Sequence, residues 1–178
     1  MKKFAFLCVA VALLFAGCKK DPLDKLENNQ VSLNGEIVEL AAHLAVRPAT
    51  DGDVGAHYVD FIPADNSFTI RFDIGTPLVG KTIDLANPTP VVGSNQFSYM
   101  YCGPDGDFIA QLEGNPLFGS LNGTEYDGKS CFASGTFTAT HNTSDGFLLE
   151  MSGEFLDGKT FALKGYVPEN EVEYWNAN

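Results

Sequence analysis

The sequence predicts an all-β domain, a single antiparallel β-sandwich of about eight to ten strands or, as the alternative, an up-and-down barrel. Three observations predict it. Apolar and polar residues alternate with period two over several stretches. Asp-Gly occurs five times and Asn-Gly twice, and these dipeptides tolerate the positive φ that tight hairpins need. No stretch is long and periodic enough for a βαβ unit, which argues against a parallel sheet.

The first element is an address, not a strand. Lys2 and Lys3 precede an unbroken apolar run, Phe4 to Phe15, and Ala16-Gly17-Cys18 follows. Twelve residues rise only about 18 Å as a helix, short of the roughly 30 Å hydrocarbon core. A cationic start, a short apolar run and small residues describe a secretory signal peptide over 1–17. Residues 18–30 are polar with one proline and read as a tether. The β domain is expected over 31–178.

Within that domain Asn34-Gly35 fits a hairpin. Ile37, Leu40, Ala41 and Leu44 have helical spacing, so this segment fits a short helix or a strand, and the strand is expected. Phe68, Ile70, Phe72 and Ile74 alternate with Thr69, Arg71 and Asp73. From Ser134 to Val167 three consecutive strands are expected, turning near Asp145-Gly146 and Asp157-Gly158. Phe137 and Ala139, then Phe147, Leu149, Met151 and Phe155, mark their inward faces. Pro77, Pro88, Pro90, Pro104 and Pro116 fall between strands, where a missing N–H does no harm.

Charge excludes some partners. The chain has 11 basic and 23 acidic residues, a net charge of -12. Without residues 1–17, which hold Lys2 and Lys3, it carries -14. Neither nucleic acid nor an anionic lipid face suits such a surface. The acidity reads as a solubilising coat.

Four cysteines are present. Cys8 lies in the signal peptide and Cys18 at its end. Cys102 and Cys131 remain, and in an oxidising compartment a disulfide between them is the favoured expectation, two buried thiols the alternative. The bond would contribute about 3.5 kcal/mol.

Catalytic chemistry is not signalled. His43, His57 and His141 have no partner histidine at metal-binding spacing, and each is expected in a surface or structural role. Gly119-Ser120-Leu121-Asn122-Gly123 is no nucleophile elbow, because its serine is misplaced. The acidic pairs Asp51/Asp53, Asp105/Asp107 and Glu125/Asp127 suit hairpin tips and lack the EF-hand pattern. No cofactor, no metal and no enzymatic activity are expected. Phe97, Tyr99 and Tyr101 form a period-two aromatic stripe, which fits core packing or, on a wet face, stacking against sugar rings. Tyr174-Trp175 either covers one end of the core or forms an exposed patch.

Leu14-Phe15-Ala16-Gly17-Cys18 resembles a bacterial lipobox, which implies lipidation of Cys18 and a membrane anchor. Phe15 departs from the usual leucine at its position. Lys19 after the cysteine implies outer-membrane sorting, and Lys19-Lys20-Asp21 with Asp24 resembles the stretch that marks surface-exposed lipoproteins, the periplasmic face being the alternative. The whole pattern, from Leu33-Asn34-Gly35-Glu36-Ile37-Val38-Glu39-Leu40 to the meander closing after Asp157-Gly158-Lys159, resembles the small lipoproteins of the Bacteroidota. That resemblance implies an all-β fold and an envelope location, and it carries over no catalytic residue. The expected function is therefore a non-enzymatic binding or accessory lipoprotein, with a glycan as candidate ligand. The alternatives are a structural subunit or anchor of a surface fibre or envelope complex, with an envelope protein as partner, and a lipocalin-like carrier of an apolar ligand. Lipocalins carry Gly-x-Trp near the first strand, and here the sole tryptophan is Trp175.

Overall fold

Alternation becomes strand wherever the sequence shows it clearly. The computed structural model describes residues 21–88, 97–103, 106–112, 117–121, 124–127 and 130–175, with backbone alone for the strands within 97–121 and for residues 126 and 127. The expected signal peptide, Cys18 and the first residues of the tether lie outside the described residues.

The chain opens on a hairpin of β1 (Gln30–Leu33) and β2 (Glu36–Glu39), turned on Asn34 and Gly35 at φ 51° and 90°. It crosses at Leu40 to a second sheet and builds β3 (Ala41–Arg47), β4 (Ala56–Ile62) and β5 (Thr69–Gly75). It returns for β6 (Thr82–Asp84), then adds β7 (Phe97–Gly103), β8 (Gly106–Leu112), β9 (Leu117–Leu121) and β10 (Thr124–Asp127) to the second sheet. The long meander β11 (Phe132–Asn142), β12 (Gly146–Phe155) and β13 (Thr160–Pro168) completes the first sheet, and β14 (Glu173–Tyr174) goes back to the second.

The first sheet runs β2-β1-β13-β12-β11-β6 and the second β10-β9-β8-β7-β5-β4-β3-β14. This is the expected all-β sandwich, and the segment from Ile37 to Leu44 is strand, not helix. The barrel alternative is corrected: the strands form two sheets with edges, and among the described residues neither closes on itself. The strand number is also higher than expected, because β2, β6, β9, β10 and β14, each of two to five residues, are too short to show a period. One pairing departs from the antiparallel pattern. β14 lies parallel to β3, with Glu173 opposite Ala45 and Tyr174 opposite Val46.

Phe61, Ile70, Phe72 and Ile74 of the second sheet meet Phe137, Phe147, Leu149, Met151 and Leu163 of the first, and all nine are completely buried. Phe72 stacks on Phe137 across the sheets, centroids 5.7 Å apart. Phe61 reaches so close to Gly165 that a Cβ there would run into its ring.

Part of the segment expected as tether belongs to this body. Pro22–Lys25 forms a 3-10 turn capped by the Asp21 side chain, and Leu26 is buried. Asn29, at φ 60°, donates its N–H to Lys164 O and accepts from the Tyr166 N–H through Oδ1. The polar composition hid one anchoring leucine and one left-handed asparagine. No helix among the described residues is long and apolar enough to cross a membrane.

Candidate functional site

Two arrangements of polar and aromatic side chains meet at the C-terminal strand, one on the outer face of the second sheet and one leading from the surface at Tyr174 to buried His57. Both follow from the pleat. In β4 the odd positions 57, 59 and 61 point inward, so Tyr58 and Asp60 point outward. In β5 the outward positions are Thr69, Arg71 and Asp73. Register aligns His43, Asp60 and Arg71 in one cross-strand row, and Ala45, Tyr58 and Asp73 in the next.

The outer arrangement is an open groove of about 490 Å³ on this face, walled by His43, Tyr58, Asp60, Arg71, Glu173 and Trp175. Trp175 stacks on Tyr58 with ring centroids 5.0 Å apart and planes 20° apart, and it remains 43% exposed. Beside this shelf Arg71 grips Asp60 with both arms, Nε to Oδ1 at 2.7 Å and one terminal nitrogen to Oδ2 at 2.8 Å. Hydrogen bonding to Asp60, then its negative charge, raises the guanidinium above its ordinary pKa, so Arg71 stays charged. Asp73, Glu171 and Glu173 complete an acidic rim. A flat apolar ring with forked donors and acceptors at its edge suits a ligand that offers a C–H face and hydroxyl groups.

The inner arrangement is a chain of four side chains. His57 Nε2 lies 3.0 Å from His141 Nδ1, His141 Nε2 lies 2.9 Å from Glu169 Oε2, and the Tyr174 hydroxyl donates to Glu169 Oε1 at 2.6 Å. His57 is buried on β4 and stacks on Phe147 at 5.7 Å. Burial, then the nearby His141, lowers its pKa from 6.5 to about 4, so it is neutral at pH 7. Its Nδ1 has no hydrogen-bond partner. Glu169 is lowered by the hydrogen bond from Tyr174 and next by that from His141. Glu169 in turn raises Tyr174 to about 12, its hydrogen bond contributing most. Among the described residues no group of three or more His, Cys, Asp or Glu could hold a metal.

No family model, no curated protein and no solved structure matches the chain.

Of the residues singled out from the sequence, His43, His57, His141, Tyr174 and Trp175 stand in these two arrangements, and Tyr174 and Trp175 are both exposed. Cys18 lies outside the described residues, and so do the side chains of Phe97, Tyr99, Tyr101 and Cys102. Their backbone is placed, however. Phe97, Tyr99 and Tyr101 stand opposite Ile74, Phe72 and Ile70, the three positions by which β5 faces the core. Cys102 stands opposite Thr69 on β5, and Cys131 is buried just ahead of β11 in the other sheet. Sequence reasoning treated the three histidines singly and so missed the His57–His141 pair. The signal was present: His57 shares the inward parity of Val59 and Phe61, where a polar ring needs a partner.

Proposed function

We propose that the protein is a lipid-anchored envelope lipoprotein of the outer membrane, displayed outward, whose β-sandwich is a non-enzymatic binding module for a neutral glycan. Cys18 carries the lipid, on the strength of the lipobox-like Ala16-Gly17-Cys18 after the apolar run. The single observation that carries the ligand reading is the exposed Trp175–Tyr58 shelf beside the Arg71–Asp60 fork. A pyranose presents one C–H face to an aromatic ring and its hydroxyls to paired charges, which is the chemistry this groove offers. Asp60, Asp73, Glu171 and Glu173 outnumber Arg71 on the rim, and this disfavours uronic and other acidic sugars. The stacking surface is assigned to Tyr58 and Trp175, whose rings lie 5.0 Å apart.

The test has two arms. A glycan array followed by calorimetry on the full chain in detergent should give binding of neutral saccharides that Trp175→Ala removes. Binding by no saccharide, or equal binding by the variant, overturns the ligand reading. Labelled palmitate should enter the wild-type chain and not Cys18→Ala, which should also leave the membrane fraction. Labelling that survives the substitution overturns the anchor.

One observation favours a second reading, that of a subunit bound to an envelope protein. β2 is an edge of the first sheet, and Ile37 on it is 47% exposed beside a groove lined by Leu33, Val38, Pro63 and Phe68. An open edge with an apolar side chain accepts an added strand. Co-purification of one stoichiometric partner, lost in Ile37→Lys, supports that reading.

A further inference from the structure

We propose that the outer edge of β2 receives an extended basic segment of a partner protein, in which two apolar residues stand between two lysines or arginines. The inference rests on the second reading above, of a subunit bound to an envelope protein, and names the segment that this partner supplies.

The edge has main-chain groups to offer. β2 is the last strand of the first sheet and pairs with β1 alone. The two-residue turn at Asn34 and Gly35 makes Leu33 and Glu36 the first hydrogen-bonded pair of the hairpin. Bonded and non-bonded pairs then alternate. Val31 and Val38 form the next bonded pair, and in the one after it Leu40 N–H donates to Asn29 O at 2.8 Å. Ile37 and Glu39 stand between these, opposite Ser32 and Gln30, so their N–H and C=O groups turn away from β1. An incoming strand therefore meets donors and acceptors in ladder spacing.

The side chains along this edge specify what that strand carries. A groove of about 580 Å³ lies between β2 and the turn from β4 to β5, walled by Leu33, Val38, Pro63 and Phe68. Val38 is half-buried against the core, while Ile37 is 47% exposed. An edge guarded only against unwanted pairing needs charge, and an exposed isoleucine between the charges works against that purpose. β2 reads Glu36-Ile37-Val38-Glu39. A strand beside it is complementary at every position when it reads basic, apolar, apolar, basic. That order is the same from either end, so it fits in parallel or antiparallel.

Charge selects the occupant. Glu36, Glu39 and Asp65 stand around the groove, and no Lys or Arg lines it among the described residues. Arg47, Arg71, Lys159 and Lys164 pair with Asp53, Asp60, Asp157 and Glu150 instead. Glu39 accepts from Gln30 Nε2, a neutral donor. Hydrogen bonds from Ser67 hold Asp65 below its ordinary pKa, so it stays ionised at neutral pH. A second copy of the chain is a poor occupant. Two β2 edges in antiparallel contact set Glu36 of each against Glu39 of the other, and like charges directly opposite are unfavourable. The carboxylates that refuse a second copy admit a basic strand.

Short capped peptides with Lys-Val-Ile-Lys, Glu-Val-Ile-Glu or Lys-Val-Pro-Lys at their centre test this on the full chain in detergent, by fluorescence anisotropy and amide hydrogen exchange. The Lys-Val-Ile-Lys peptide should bind about tenfold or more tightly than the glutamate peptide. It should bind more tightly than the proline peptide too, which has the same charges and lacks a ladder N–H. Binding should protect the Ile37 and Glu39 amides and leave Val38, already bonded to Val31, unchanged. Glu36→Lys with Glu39→Lys should reverse the preference between lysine and glutamate. If loss of the Gln30 contact unfolds that variant, Glu36→Lys alone should narrow the difference, its position being exposed. Equal affinity for the lysine and glutamate peptides, a preference that Glu36→Lys leaves untouched, or binding without protection at Ile37 and Glu39 overturns the inference. A co-purifying partner lost in Ile37→Lys, with no lysine peptide bound, overturns the basic strand alone and leaves the subunit reading. Peptide binding with the full signature and no stoichiometric partner supports the edge as a strand acceptor and removes the subunit reading alone.

Discussion

Trp175 lies flat against Tyr58, 5.0 Å between centroids, because the last strand runs parallel to β3 rather than continuing the antiparallel meander. Alternation along Glu173-Tyr174-Trp175 then sends Trp175 to the wet face and Tyr174 to Glu169 and His141. Two residues of strand thus join the aromatic shelf to a polar chain that runs from exposed Tyr174 to buried His57.

Trp175→Ala should lower affinity for a neutral saccharide about tenfold or more, since ring stacking beyond area burial contributes on the order of 1 kcal/mol and the buried area adds to it. Its effect on stability should stay below about 1 kcal/mol, the side chain being 43% exposed. Tyr58→Phe separates ring from hydroxyl: it loses the bond from Arg47 Nε at 3.2 Å and keeps the stack, so affinity should be retained. Calorimetry at pH 8 reads both.

Arg71→Ala should weaken saccharide binding by a similar factor while changing the urea midpoint little. The guanidinium is half exposed and its pairing with Asp60 is a surface one, of the kind that contributes roughly 0.2 to 1 kcal/mol. A large loss of stability with unchanged affinity would show the fork to be structural.

Much of this molecule is legible in its sequence, and the limits are physical. The inward residues of β5, β11 and β12 can be read from parity because each strand is long and wet on one face. The hairpin at Asn34-Gly35 follows from positive φ. The His57–His141 pair is not legible, since 84 residues separate its members and only the stacking of two sheets brings them together. The groove is hidden for the same reason: Tyr58 stands on β4, Arg71 on β5 and Trp175 just past β14, and the order of these strands in the sheet is a tertiary fact. Leu26 shows the reverse error, where a polar neighbourhood disguises a residue the core takes in.

Gly165→Ala should destabilise the fold by about 1 to 3 kcal/mol, since the new methyl group meets the Phe61 ring of the opposite sheet. Phe61→Leu makes room at that point at the cost of lost packing. The double variant should therefore be less destabilised than the two single losses together, and urea unfolding of all four proteins measures that coupling.

Stability should fall on acidification through a window set by His57. Its pKa in the fold is about 4 against 6.5 for the free side chain, so between those values the unfolded chain binds a proton that the folded one refuses. Stability is fully present above about 6.5, declines as pH falls towards 4 and is then level with respect to this group. The shift corresponds to about 2 kcal/mol after allowance for solvent screening, or roughly 4 to 8 °C in Tm for a domain of this size. Glu169 acts in the same sense further down: its lowered pKa contributes stability above its ordinary value of 4.5, lost as pH falls through the folded one. His57→Phe removes the first step and leaves the second. Thermal melts at pH 7, 5.5 and 4 should then be flatter in the variant over the upper interval. A wild-type Tm that does not change between pH 7 and 4 would mean that His57 takes up its proton in the fold as readily as in water.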